Sequence, residues 1–302
     1  MLTVLTVLTG LLALAAPADA SPTRTGPRLG WTTNTTSEFT ATAQALHLQP
    51  AAASTYASFT DPFPTGWADL ARARSIPLVI GWEPWDTRQT IAEQSEYSLA
   101  SIATGTHDAY VRAWARDAAA SNVTVLLRFA PEFNGDWQPW FVHGTPRDFQ
   151  NAWRHLHAVF AEEHATNVRW VFNPNITWEG DPVVVEDYWP GTRYVDWLAL
   201  DGYNWEGVLP GRSYESAAAV FTTSTRALRA LAPRLPFMFA EAASSPPSKT
   251  RWIRSLARTA PALHINLVIW FEHDKETDWQ LTSAHLTTPL PALLRQHGWQ
   301  IT

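Results

Sequence analysis

At 302 residues and 46% hydrophobic content the chain is long and apolar enough for one large α/β barrel or two ordinary domains, which excludes global disorder. A formal charge of -6 without any Lys/Arg cluster argues against a groove that tracks nucleic-acid phosphates. The absence of cysteine removes disulfides, thiolate zinc sites and cysteine nucleophiles together.

The first twenty residues, MLTVLTVLTGLLALAAPADA, have an apolar run from Leu2 to Ala16 and end in a small-x-small pattern, Ala18-Asp19-Ala20. They are expected to be an export signal, residues 1–20, ahead of one domain over 21–302, and the product is expected to be secreted. The segment lacks the positive charge that usually follows the initiator methionine, so a short membrane anchor is the lesser alternative. No later run is long enough to span a bilayer. Asn34, Asn122 and Asn175 stand in N-x-Thr sequons, which matter only in a host that glycosylates exported proteins.

From Arg28 onward short apolar runs alternate with amphipathic stretches, the pattern of βα units around a parallel sheet. Eight strands are predicted: Leu29 to Thr33, Thr55 to Phe59, Ile76 to Trp82, Val123 to Phe129, Val168 to Asn173, Val195 to Leu200, Pro236 to Ala240, and Ile265 to Phe271. Helices fill the gaps. Tyr110, Trp114 and Ala118 form one stripe. Thr145 caps a helix with Pro146 in its first turn and Phe149, Ala152, Trp153, Leu156 and Phe160 on one face. Tyr214, Ala218, Phe221, Leu228 and Leu231 form a third stripe behind Ser213 as cap. Eight such units fit a single (β/α)8 TIM barrel, whose active site lies at the carboxyl ends of the strands. The competing doubly wound open sheet lacks the glycine-rich phosphate motifs that often mark it.

The acids expected at that mouth are Glu83, Glu132, Asp201, Glu241 and Glu272. Glu132 follows an apolar β-branched strand that Pro131 stops, in the stretch VTVLLRFAPEFNGDWQPW. Its aromatic neighbours Phe129, Phe133, Trp137 and Trp140 disfavour a charged carboxylate, as a general acid requires. Flat indoles also stack on sugar faces; for a Glu beside a Trp taken at random, a solvated loop carboxylate beside core tryptophans is the better reading, and here Asn134 and Gly135 tilt the balance. Glu241 ends the run PFMFAE, where a strand holds it rigidly enough for a nucleophile. Glu83 lies between Trp82 and Trp85 and binds sugar hydroxyls or pairs an arginine; Asp201 and Glu272 are as readily structural. The 17 tryptophans carry the same ambiguity. Trp82, Trp85, Trp137, Trp140, Trp205 and Trp270 sit near predicted strand ends, either walling a cleft or filling the helix-sheet layer.

Rival constellations are thin. The ten histidines form no H-E-x-x-H pair, and His155 and His157 point to different helix faces. Asp274, Glu276 and Asp278 alternate like a calcium loop, but Trp279 stands where such a loop needs glycine, so a solvated acidic turn is expected. No G-x-S-x-G elbow is present. No metal and no cofactor are expected.

Taken together, IPLVIGWEPW, LLRFAPEFNGDWQPW, WVFNPN, VDWLALDGYNW, FMFAEAASS and VIWFEHDKETDWQ resemble, in order and spacing, glycoside hydrolase family 26, which includes β-mannanases. The resemblance covers most of the chain. It implies a retaining endo-β-1,4-mannanase-like enzyme with Glu132 as acid/base and Glu241 as nucleophile. It further implies Tyr203 near the nucleophile and Trp137 and Trp270 around the sugar being cleaved. Position and chemistry add Trp82, Glu83, Arg128 and Asn134 as substrate-binding candidates. Two departures stand out: Pro131 where the family usually has His, and Phe271 where some members have a polar residue. Double displacement requires carboxyl groups about 5 to 5.5 Å apart, whereas inversion requires about 6.5 to 9.5 Å. A polysaccharide or oligosaccharide is the expected partner, bound by a monomer. The alternative is a carbohydrate-binding or exopolysaccharide-processing barrel with reduced or different activity, toward β-glucan, β-xylan or a self-made polymer.

Overall fold

A computed structural model describes residues 26–177 and 182–301, so the expected export signal lies outside the described residues. Eight parallel strands close in sequence order into a barrel: β1 (Arg28–Thr32), β2 (Ala53–Ser58), β3 (Leu78–Glu83), β4 (Val125–Phe129), β5 (Val168–Phe172), β6 (Trp197–Asn204), β7 (Phe237–Ser244) and β8 (Leu267–Phe271). The TIM barrel read from the βα alternation is therefore the observed fold. β6 and β7 run four residues beyond their predicted ends at Leu200 and Ala240.

The helices are α1 (Thr36–Leu46), α2 (Thr65–Ala73), α3 (Leu99–Ala103), α4 (Asp108–Ala120), α5 (Pro139–Val142), α6 (Pro146–Glu162), α7 (Ala217–Leu231), α8 (Lys249–Ala262) and α9 (Leu290–Gln296). Local chemistry sets their starts. Thr145 and Asp148 exchange side-chain-to-backbone hydrogen bonds around Pro146 as a capping box, and α6 buries Phe149, Ala152, Trp153, Leu156 and Phe160 as its spacing predicts. At α7 the cap is Ser216, whose hydroxyl accepts from the Ala219 N–H, and not Ser213. Tyr214 consequently precedes the helix and Ala218 is exposed; the buried face begins at Ala217 and Val220.

Among the described residues the β5–β6 crossover has only the 3-10 turns Val185–Tyr188 and Thr192–Tyr194 in place of the expected helix. Pro182 and Pro190-Gly191, with Gly191 at φ +109°, interrupt any helical run there. Tyr188 against Phe133 (4.8 Å) and Trp189 against Phe172 (5.0 Å) supply the apolar cover a helix would have given.

The barrel interior is a small cluster including Val79, Leu126, Val171, Ala199, Met238, Ala240, Leu267 and Ile269. The larger core lies between sheet and helices and takes most of the aromatics, such as Trp82 stacked on Trp114 at 4.7 Å and Phe221 on Phe239 at 3.7 Å. Side chains alternate between these two faces with period two.

One irregularity decides what faces the mouth. Across β6 and β7 the pairing steps from Leu200↔Phe239 to Asp201↔Glu241, so β7 carries one extra residue. Phe237 and Phe239 face the helices and Met238 and Ala240 face the axis. Uninterrupted alternation would therefore aim Glu241 outward; the β-bulge turns it inward.

Candidate active site

Glu132 lies just past β4 in a tight reversal. Ala130 (φ +46°) and Glu132 (φ +54°) both adopt left-handed backbone, which costs a non-glycine residue about 1 kcal/mol or more. The reversal is held by Glu132 N–H donating to the Asn173 carbonyl (2.8 Å) and Gly135 N–H donating to the Glu132 carbonyl (2.9 Å). Three N–H donors then fix the carboxylate: Asn175 Nδ2 on Oε1, and Trp137 Nε1 (2.8 Å) and Gln138 Nε2 (3.0 Å) on Oε2. Gly135 is needed for space, since a Cβ there would lie 2.4 Å from the Trp137 ring. Burial, with the Glu241 charge added, raises the Glu132 pKa above the ordinary carboxylate value, against the pull of the three donors.

Glu241 is held differently. Arg128 Nη2 (2.7 Å) and the Tyr56 hydroxyl (2.8 Å) donate to Oε1, and the Tyr203 hydroxyl (2.5 Å) donates to Oε2. Arg128 is fully buried; it also donates from Nη2 to Asp201 Oδ2 at 2.6 Å and from Nε to Asn173. Burial disfavours its charge, and Asp201 and Glu241 outweigh that, so the guanidinium stays cationic. One carboxylate oxygen from each of Glu132, Asp201 and Glu241 lies within 4.8 Å of the others. Three carboxylates are a donor set for a divalent cation by chemistry alone, yet Arg128 already bridges two of them and supplies the compensating charge.

The predicted residues separate into those that meet at this cleft and those that do not. Glu132, Glu241, Arg128 and Tyr203 meet. Trp137 is 45% exposed beside Glu132. Glu83 is half-buried at the end of β3; burial, eased by the Trp85 indole N–H on Oε2 (3.0 Å) and increased by the Glu241 charge, pushes its carboxyl up to about 7. Trp82 and Trp270 face the other way. Both are buried in the helix-sheet layer, Trp82 donating to the Tyr110 hydroxyl (3.1 Å) and Trp270 to the Trp279 carbonyl (2.8 Å), because each sits on the outward parity of its strand. Neither lines the cleft. Arg128 also touches the carboxylates from below rather than the open trough, and Asn134 spends both amide ends on the Asn175 backbone (2.8 and 3.1 Å), clamping the loop that delivers Asn175 to Glu132. Glu272 accepts from the Leu281 and Thr282 N–H groups and the Thr282 hydroxyl, which fixes the loop after β8. In the acidic turn Asp274 and Glu276 are exposed, and Trp279 is buried against Tyr203 (5.2 Å) and Trp205 (4.9 Å).

Tyr56, Gln138, Asn173 and Asn175 also belong to the site. Asn173 and Asn175 follow an apolar strand, a usable signal once Glu132 is known. Tyr56 becomes visible only through register, because its cross-strand partner is Gly81.

Residues 82–241 match the family model described as glycosyl hydrolase family 26. The chain is 33% identical over 228 residues to endoglucanase H of Acetivibrio thermocellus, covering 72% of this chain and 24% of that protein. It is 35% identical over 92 residues to mannan endo-1,4-beta-mannosidase A and B of Caldalkalibacillus mannanilyticus, covering 28% of this chain and 17% of that protein. The matched stretch thus spans a quarter or less of either relative. Among solved structures, a double mutant of the Cellulomonas fimi endo-beta-1,4-mannanase superposes with a TM-score of 0.66 at 16% identity, over 90% of this chain and 70% of that one, a likeness of fold.

Proposed function

The chain belongs to glycosyl hydrolase family 26, and on that premise we propose that it cleaves a β-linked polysaccharide by double displacement, with Glu132 as acid/base and Glu241 as nucleophile. The observation that carries this is the approach of the two carboxylates to within 4.8 Å over one cleft. That spacing suits direct attack on an anomeric carbon and leaves no room for the intervening water that inversion requires.

The two environments suit the two roles. Glu132, buried and facing the Glu241 charge, favours its protonated form and donates to the departing glycosidic oxygen. Glu241, held and aimed by hydrogen bonds from Arg128, Tyr56 and Tyr203, attacks to form the glycosyl ester. Once it is esterified its charge is gone, so one cause of the raised Glu132 pKa disappears with it. Glu132 is then the better base for the water that releases the sugar. Trp137, the half-exposed indole beside Glu132, offers a flat face to a bound sugar.

For the polymer, β-glucan is the first reading and β-mannan the second. The relative named as an endoglucanase matches 72% of this chain, whereas the one named as a mannosidase matches 28%. Pro131 agrees with a divergent subsite, because it has no side-chain donor or acceptor to offer a sugar hydroxyl. Export through residues 1–20 is part of the same proposal.

The test is a product profile on mixed-linkage glucan, cellulose derivatives, mannan and xylan, with proton NMR of the first-formed anomer. Retained β configuration is expected, Glu241→Ala should lower turnover by roughly three or more orders of magnitude, and Glu132→Gln should spare kcat/KM but lower kcat on substrates with good leaving groups. An inverted first product, or hydrolysis surviving Glu241→Ala, would overturn the mechanism.

A further inference from the structure

The hydrogen bonds on Glu241 are unequal, and the inequality has a structural origin. Oε1 accepts from Arg128 Nη2 (2.7 Å) and from the Tyr56 hydroxyl (2.8 Å), whereas among the described residues Oε2 accepts from Tyr203 alone (2.5 Å). Tyr56 and Arg128 lie on β2 and β4, and the register Tyr56↔Gly81↔Arg128 puts them in one row with a glycine between. A Cβ on Gly81 would lie 2.7 Å from Cδ1 of the Tyr56 ring, and Gly81 has no left-handed backbone that would otherwise require glycine. β3 leaves that layer open so that the Tyr56 ring can lie across it and reach β7. The Arg128 guanidinium lies 6.0 Å from the centre of the same ring. Burial and the Glu241 charge keep the phenol protonated, hence a donor.

Resting on the double-displacement reading, we propose that Oε2 of Glu241 is the attacking atom, and that Tyr56, seated in the gap left by Gly81, is a positioning residue that holds Oε1 as the ester carbonyl and speeds breakdown of the glycosyl-enzyme. In the first step the bond from Oε2 to the anomeric carbon forms as the glycosidic bond breaks, and the leaving oxygen takes the Glu132 proton. In the second, water gives a proton to Glu132 while its oxygen bonds to the anomeric carbon. As that bond forms, the carbon–Oε2 bond breaks and its electron pair returns to Glu241. Negative charge is small on the ester carbonyl and grows on Oε1 as the carboxylate departs, so a donor there gains strength between the covalent intermediate and the second transition state. In the first step the charge falls, and the same hydrogen bond favours the starting carboxylate. Tyr56 therefore acts chiefly on the second step.

The test uses the full chain and dinitrophenyl β-cellobioside or β-mannobioside, whichever the unsubstituted enzyme cleaves, because a good leaving group makes the second step limiting. Tyr56→Phe should lower kcat about ten- to a hundredfold, the worth of one hydrogen bond to a developing charge, with a smaller change in kcat/KM and a pre-steady-state burst of dinitrophenol. Gly81→Ala should reproduce this pattern by displacing the ring, and should add nothing in a Tyr56→Ala background, with melting temperatures confirming folded protein. Unchanged kcat, or kcat/KM falling as far as kcat, overturns the assignment, since a merely misplaced Glu241 would slow both steps. If the unsubstituted enzyme forms no covalent intermediate and inverts, the double-displacement reading itself fails; if it retains and Tyr56→Phe is silent, only this inference fails.

Discussion

Glu83 shows how one side chain couples the cleft to stability. Its carboxyl is raised from 4.5 to about 7, first by burial, with the Glu241 and Glu132 charges adding to it. Because the folded state holds the proton more tightly than the unfolded chain, stability from this group is fullest below about pH 4.5 and is lost as pH rises through 7. Glu83→Gln removes the ionisation, so the variant should gain about 1–3 kcal/mol over the parent around pH 8 and little near pH 4. Denaturant melts at the two pH values check this, and an equal effect at both would show that the cost of ionising Glu83 is small. The site glutamates were legible as candidates from their neighbours, an apolar strand before each and aromatics around Glu132, and the family resemblance picked them out of five strand-end acids. What surrounds Glu241 was not. Tyr56 lies 185 positions from it, and no local pattern links them.

Elements add constraints that no single side chain shows. The bulge on β7 is one residue, yet it sets the direction of Glu241, because strand side chains alternate and a shift of one reverses the face. Deleting Ala240 should restore flat pairing with β6 and keep the carboxylate inward opposite Asp201, because Glu241 then follows the outward-facing Phe239. Turnover should then stay well above that of Glu241→Ala while circular dichroism retains a folded α/β signal. Folded protein with turnover as low as that of Glu241→Ala would show that alternation does not set the direction of the carboxylate. Helix starts read well from sequence where capping was complete, as at Thr145, Pro146 and Asp148. They read poorly at α7, where Ser213 and Ser216 are equally good caps in sequence and the docking of Ala217 and Val220 decides between them. The β5–β6 crossover escaped because alternation predicts a connection of a certain length, and a proline- and aromatic-rich coil meets the same packing demand.

Across the whole molecule the tryptophans divide by face. Trp82, Trp114, Trp153, Trp252 and Trp270 are fully buried between sheet and helices, whereas Trp137 stays 45% exposed at the cleft. Trp82→Ala or Trp270→Ala should cost about 3–5 kcal/mol of stability while leaving kcat of the folded fraction near parental. Trp137→Ala should do the reverse, with a small change in melting temperature and a large loss of kcat/KM, since it removes both an exposed ring and a donor to Glu132. A stability loss at Trp137 matching that at Trp82 would defeat the division. The sequence by itself determined the βα alternation, the number of strands and the five strand-end acids from which the family resemblance picks Glu132 and Glu241, because hydrophobic period and strand-end position are local properties of the chain. Tertiary structure alone decided which tryptophans wall the cleft, that Glu241 faces inward, and that Tyr56 and Arg128 share one of its oxygens. Those depend on the register between strands far apart in sequence, and closure of the barrel is what fixes it.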